Sequence, residues 1–236
     1  MHLALDHLLY AGPVLDRMVR ELARATGARP VPGGKHAGQG THNALLRLDA
    51  DGGDPDGGDP VGLGSQAYLE LIAPDPEQDG GDFAASIDPL KSAELHAWCV
   101  RTDDPDALIA RIRASGHGVV RRAMSRVTQA GDTLRWELIF ATGHAWAGAA
   151  PFFIAWGDTL HPAAGLDQGA SLRSLSVLHP DPEPLRAWLA ELGLATGPGQ
   201  AVAIEEAPGR GLRADLTGRR GPLALRGGAG GIRLAQ

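Results

Sequence analysis

Ionisable side chains set inside apolar runs are the first candidates for chemistry, because a charge buried without a partner is costly. Residues 3–11 read LALDHLLYA, a core-like strand that carries Asp6 and His7 side by side. Period-two alternation puts Leu3, Leu5, His7, Leu9 and Ala11 on one face, and Ala4, Asp6, Leu8 and Tyr10 on the other. In YLELIAP, Glu70 shares a face with Tyr68 and Ile72, and its partner is either a functional group or a structural cation such as Arg47 or Arg135. His42, in THNALL, shares a face with Ala44, Leu46 and Leu48. A histidine in such surroundings contacts a ligand, has a shifted pKa, or makes a structural hydrogen bond. Glu137 in LRWEL is a further acid, and the forked guanidinium groups of Arg126 and Arg135 match a carboxylate or enolate oxygen.

The elements that must position these groups recur three times. LALDHLLYAG precedes PVLDRMVRELARATG, where Pro13 suits a first helical turn, Leu15, Met18 and Leu22 lie on an apolar stripe, and Gly27 ends the helix. ELHAWCVRTDD precedes PDALIARIRASG, with Asp104 as N-cap and Gly116 as stop. SLRSLSVLHPD precedes PEPLRAWLAELG, capped by Asp181 and closed by Gly193. Three extended segments follow each helix, so the chain is an α+β protein of three βαβββ modules. The first two are expected at about 1–80 and 92–163 within a domain of residues 1–165, and the third at 170–236. The glycine-, proline- and aspartate-rich stretch 51–65 reads as a hairpin loop, without the spacing of a calcium-binding loop. An odd third module has no second copy to cover its apolar faces, and this argues for a homodimer or for packing on the first two modules.

Composition removes other classes. The formal net charge is -6 and no basic cluster is interleaved with aromatics, so a nucleic-acid partner is not expected. No apolar run is long enough to span a bilayer and no basic leader opens the chain, which reads as cytoplasmic. The single cysteine, Cys99, lies in the apolar run AWCV and reads as a buried inert thiol. No nucleophile elbow, zinc-protease, CxxC, Walker or dinucleotide motif occurs.

With this repeat, the segments LDHLLYAG, GKHAGQGTHNALL, YLELIAPDP, LRWEL and PFFIAWGDTLHPA resemble the vicinal oxygen chelate superfamily, within it the glyoxalase-like domain proteins. The resemblance implies two modules paired into a curved mixed sheet with helices on its convex face. On the concave face it implies a divalent metal such as zinc, nickel, manganese or iron. His7 and Glu70 match the ligand positions of the first module. Carrying His7 and Glu70 onto the second module reaches Ala97 and Ala155, which cannot ligate. The implied function is a lyase, isomerase or related enzyme acting on a carbonyl or hydroxy-carbonyl compound by metal-assisted enolisation, with Glu70, His42 and Glu137 as the expected catalytic groups and His42, Arg126 and Arg135 as the expected substrate contacts. The alternative is a protein of the same fold that binds a small molecule without turnover.

Overall fold

The computed structural model of the protein describes residues 1–50, 67–127, 131, 133–197 and 199–232, so the hairpin loop read at 51–65 lies outside the described residues. The first module comprises β1 (Leu3–Ala11), α1 (Leu15–Thr26), β2 (Val31–His36), β3 (Thr41–Ala50) and β4 (Ala67–Pro74). The stripe read from the sequence holds α1 to the sheet: Met18 and Leu22 are buried, with Leu15 and Val19 packed beside them. Gly27 stops the helix in the left-handed region, φ 77°, where its N–H donates to the Ala23 carbonyl at 3.0 Å.

A short helix, α2 (Asp82–Ile87), leads to the second module: β5 (Glu94–Thr102), α3 (Pro105–Ala114), β6 (Gly118–Val127), β7 (Thr133–Thr142) and β8 (Phe152–Ala155). Asp104 caps α3 by accepting from the Ala107 N–H at 3.0 Å. The two modules share one pairing scheme. β1 runs parallel to β4, which is antiparallel to β3; likewise β5 runs parallel to β8, which is antiparallel to β7. β1 and β5 then pair antiparallel and join the halves in the order β3-β4-β1-β5-β8-β7-β6. β2, on the outer edge of β3, comes into contact with β6, so the joined sheet curls into a trough.

The third copy has the predicted element order but a different strand arrangement: β9 (Gln168–His179), α4 (Glu183–Leu192), β10 (Val202–Glu206), β11 (Gly211–Gly218) and β12 (Gly221–Gly227). The strand after α4 lies parallel and directly beside β9, whereas the strand after α1 is separated from β1 by two strands, β3 and β4. Its other edge takes the β11–β12 hairpin, and its first residues pair parallel with β3. Gly169 permits that junction, since a Cβ there would lie 2.6 Å from the Arg47 carbonyl oxygen.

Leu172, Leu175, Val177, Leu212, Leu216 and Leu225 enter the same core cluster as Leu5, Leu8, Met18 and Leu46, on the side of the trough away from its cavity. The surface from which a second chain was inferred is therefore covered within this chain. Each buried leucine is worth roughly 1.5–3 kcal/mol of transfer free energy. A chain ended near Gly165 exposes the other side of this contact. It should bind a hydrophobic dye and aggregate on concentration; equal solubility and equal melting temperature in light scattering and calorimetry would refute the shared core.

Candidate functional site

The pairing of β1 with β5 explains why Asp6 and His7 stand together. Leu5 opposes Val100 and His7 opposes Cys99, so Asp6 is the extra residue of a β-bulge. Strict alternation placed Leu5 with His7, and the bulge corrects this. Leu3 and Leu5 join the helix-side core, whereas His7, Leu9 and Ala11 face the trough. Asp6 turns to the same side as His7, and His7 Nδ1–H donates to Asp6 Oδ1 at 2.7 Å.

Asp6 is fully buried and engaged at both oxygens. Oδ2 accepts from Trp156 Nε1 at 3.0 Å and from His161 Nε2 at 3.1 Å. The Ala163 N–H donates to His161 Nδ1, which leaves Nε2 as the protonated nitrogen. Burial alone would raise the Asp6 pKa. The hydrogen bonds from His161 and His7 more than offset this and hold the carboxyl well below the usual carboxylate range.

The trough encloses a cavity whose polar groups are His7, His36, Asn43, Glu70 and Arg126, among walls that include Leu9, Phe83, Trp136, Phe152 and Trp156. Glu70 lies 3.5 Å from His7 Nε2 through Oε2, and its Oε1 accepts from Asn43 Nδ2 at 2.6 Å. The same amide nitrogen lies 3.2 Å from His36 Nε2, while His36 Nδ1 meets Thr41 Oγ1 at 2.9 Å. Burial lowers the His36 pKa, so this ring is neutral near pH 7. Asn43 Oδ1 accepts from an Arg126 Nη at 3.1 Å. Ile232, in the segment after β12, completes one wall, so the third copy also touches the cavity.

Of the residues singled out in the sequence, His7, Glu70 and Arg126 meet in this cavity. His42 does not. The alternation of β3 is as read, but Ala44, Leu46 and Leu48 belong to the helix-side core, so half-buried His42 lies by α1 with Leu15 and Asp16. Asn43, its neighbour on the other face, is the group that reaches Glu70. Glu137 and Arg135 are also outside: Trp136 and Leu138 of β7 face the cavity, and Glu137 instead accepts from Arg121 at 2.5 Å. Lys35 and His36 form the end of β2, where Lys35 pairs with Glu77 and Asp75 at the surface.

The second-module counterparts also move. Cys99, not Ala97, is the direct partner of His7, and Ile154, not Ala155, lines the cavity on β8. A second register shift, between Leu9 and Tyr10 of β1, makes His96 the extra residue on β5, where it packs against Gly230. His7 Nε2 and Glu70 Oε2 converge as two ligands of one divalent ion would, with Asp6 orienting the imidazole. Asp6, His7 and Cys99 form, among the described residues, the one group of three possible ligand atoms within 4.8 Å of one another. It is a poor cage, because Asp6 already serves three donors and burial pushes the Cys99 thiol well up. The residues present thus offer half a metal site, on the first module.

Because the folded-state pKa of Asp6 is depressed, its stabilisation is full above the unfolded value of roughly 3.9 and is lost only as pH falls through the lower folded value. Asp6→Asn leaves an amide among three donors and should cost about 3–5 kcal/mol at pH 7, as for a broken buried pair. The difference in unfolding free energy between the two proteins should shrink only below about pH 4. Denaturant titrations from pH 7 to pH 2 check this, and a difference constant across that range would contradict it.

The chain matches the family model described as glyoxalase-like domain over residues 5–193. No curated protein matches it. Among solved structures, a hypothetical protein from Staphylococcus aureus superposes with a TM-score of 0.63 at 19% identity, covering 96% of this chain and 85% of its own. That likeness of fold extends into the third copy. A variant of Streptomyces coelicolor methylmalonyl-CoA epimerase, in complex with 2-nitronate-propionyl-CoA, aligns at 20% identity over 67% of this chain and 98% of its own, TM-score 0.48. The methylmalonyl-CoA epimerase from Mycobacterium tuberculosis aligns at 22% identity over 69% and 92%, TM-score 0.44. Because the family model spans most of the chain, including both paired modules and the start of the third, the protein belongs to the glyoxalase-like domain family.

Proposed function

We propose that the protein is a small-molecule enzyme that moves a proton beside a carbonyl group, with Glu70 as the base. The observation behind this is the placement of Glu70: a nearly buried carboxylate in an enclosed cavity, one oxygen fixed by Asn43 and the other facing His7. A carboxylate held this way is positioned to take a proton from the carbon next to a substrate carbonyl. The C–H bond breaks, its electron pair moves into the new carbon–carbon double bond of an enolate, and the negative charge gathers on oxygen. Return of the proton to the same or to the adjacent carbon gives an epimer or an isomer. With Nδ1–H donated to Asp6, His7 presents Nε2 to the cavity, where it steadies that oxygen through a proton or an ion carried on Nε2. A divalent ion, if bound, would be held by His7 and Glu70 and would polarise the carbonyl.

Cys99 and Ile154 opposite the His7–Glu70 pair favour a second reading, capture of a small molecule without turnover. Deuterium incorporation separates the two. Small 2-oxo and 2-hydroxy-carbonyl compounds incubated with the full chain in heavy water should exchange their α-hydrogens, followed by proton NMR. Glu70→Gln should slow exchange by roughly 10²–10⁴-fold, the range for a lost general base. Compounds that bind without exchanging would favour capture.

A further inference from the structure

We propose that Arg126 anchors the ligand's carboxylate, so that the compound taken by the cavity is a small monocarboxylic acid with an apolar body. This rests on the proton-transfer reading for the place of the reacting carbon, but the anchor has its own evidence. Arg126 is only 6% exposed and lines the cavity. Among the described residues its one hydrogen bond goes to the neutral Asn43 amide, not to an acid. A guanidinium carries five N–H donors and stays charged at all working pH values, so a buried one facing a cavity is completed by an anion.

The chain is shaped around this group. Arg126 projects from β6 of the second module to β3 of the first and passes over β2 at Gly33. A Cβ at Gly33 would lie 2.4 Å from the Arg126 Nη and 2.2 Å from Asn43 Oδ1. Gly33 is absent from the positive-φ glycines, so clearance and not backbone conformation accounts for it. Asn43 then separates the charges. Its Oδ1 accepts from Arg126 and its Nδ2 donates to Glu70, so the two cannot collapse into a salt bridge. A carboxylate on the guanidinium fork directs the rest of the ligand toward Glu70, and in a 2-oxo acid the C–H that exchanges is the one beyond the oxo carbon. Ile72, Phe83, Trp136, Leu138 and Ile154 surround the rest, which selects an apolar body. A dianion such as a phosphate monoester would be repelled by Glu70 a short distance away.

Calorimetric titration of the full chain tests this with phenylpyruvate, 2-oxoisovalerate, their methyl esters and phenyl phosphate. The acids should bind, the esters should bind roughly 10-fold or more weakly because the charge-assisted pair is lost, and phenyl phosphate should bind more weakly than phenylpyruvate. Arg126→Gln should abolish the preference for acid over ester, and Gly33→Ala should reduce it by displacing the guanidinium without removing its charge. The comparison of acid with ester on the unaltered protein holds even if a variant fails to fold. The anchor is overturned if no acid binds, if acids and esters bind alike, if phenyl phosphate binds best, or if Arg126→Gln keeps the preference. Acids that bind through Arg126 without exchanging their α-hydrogens sink the proton-transfer reading and leave the anchor standing. Esters that exchange as fast as acids do the opposite.

Discussion

A single carboxylate without solvent contact, that of Asp6, ties together parts of the chain more than 150 residues apart. Its three donors come from β1 itself, from the turn after β8 and from the 3-10 turn at Pro162–Gly165. Burying a charge this deeply is unfavourable unless both oxygens are hydrogen-bonded, and here His7 serves Oδ1 while Trp156 and His161 serve Oδ2. The geometry of the cavity follows. His7 cannot rotate without breaking its bond to Asp6, Trp156 is fixed as a wall, and the segment leading from the second module to the third is pinned at His161.

The remaining polar groups form a second chain of contacts, Arg126–Asn43–Glu70, with His36 at its side. The two chains meet at the 3.5 Å approach of His7 Nε2 to Glu70 Oε2. Each half of the trough contributes: Glu70, Asn43 and His36 come from the first module and Arg126 from the second, while the third supplies the wall residue Ile232, after its last strand. The half-site for a metal and the buried cation thus lie on different modules, and a ligand lying across the trough would touch both.

Much of this was legible in the sequence. Helix starts and stops at Asp104, Gly27 and Gly193 depend on local backbone chemistry, which a few residues specify. His7 and Glu70 stood out because a charged or polar group in a fully apolar strand has few structural explanations. The destination of His42 was not legible: Ala44, Leu46 and Leu48 mark its face of β3 as apolar, but both faces of the strand are covered, one by α1 and the other by the trough, and the strand alone does not say that the apolar face meets α1. The bulges at Asp6 and His96 were hidden for another reason. A bulge belongs to the register between two strands, and neither strand alone encodes it. The roles of Asn43 and His36 were not legible because they exist only where β2, β3 and β6 approach one another. The strand arrangement of the third copy likewise depends on what β9 meets on β3, not on its own alternation.

The bulge has a consequence on an evolutionary scale. Asp6 occupies no rung of the β1–β5 ladder, so loss of its codon would leave Leu5 opposite Val100 and His7 opposite Cys99. Such a lineage would keep its register and its imidazole while losing the anion that orients the ring, binds Trp156 and restrains the turn at His161. Gain of the codon would run the other way. One three-nucleotide insertion or deletion therefore separates a histidine held only by its packing from one held by a buried anion, with no substitution elsewhere in the strand.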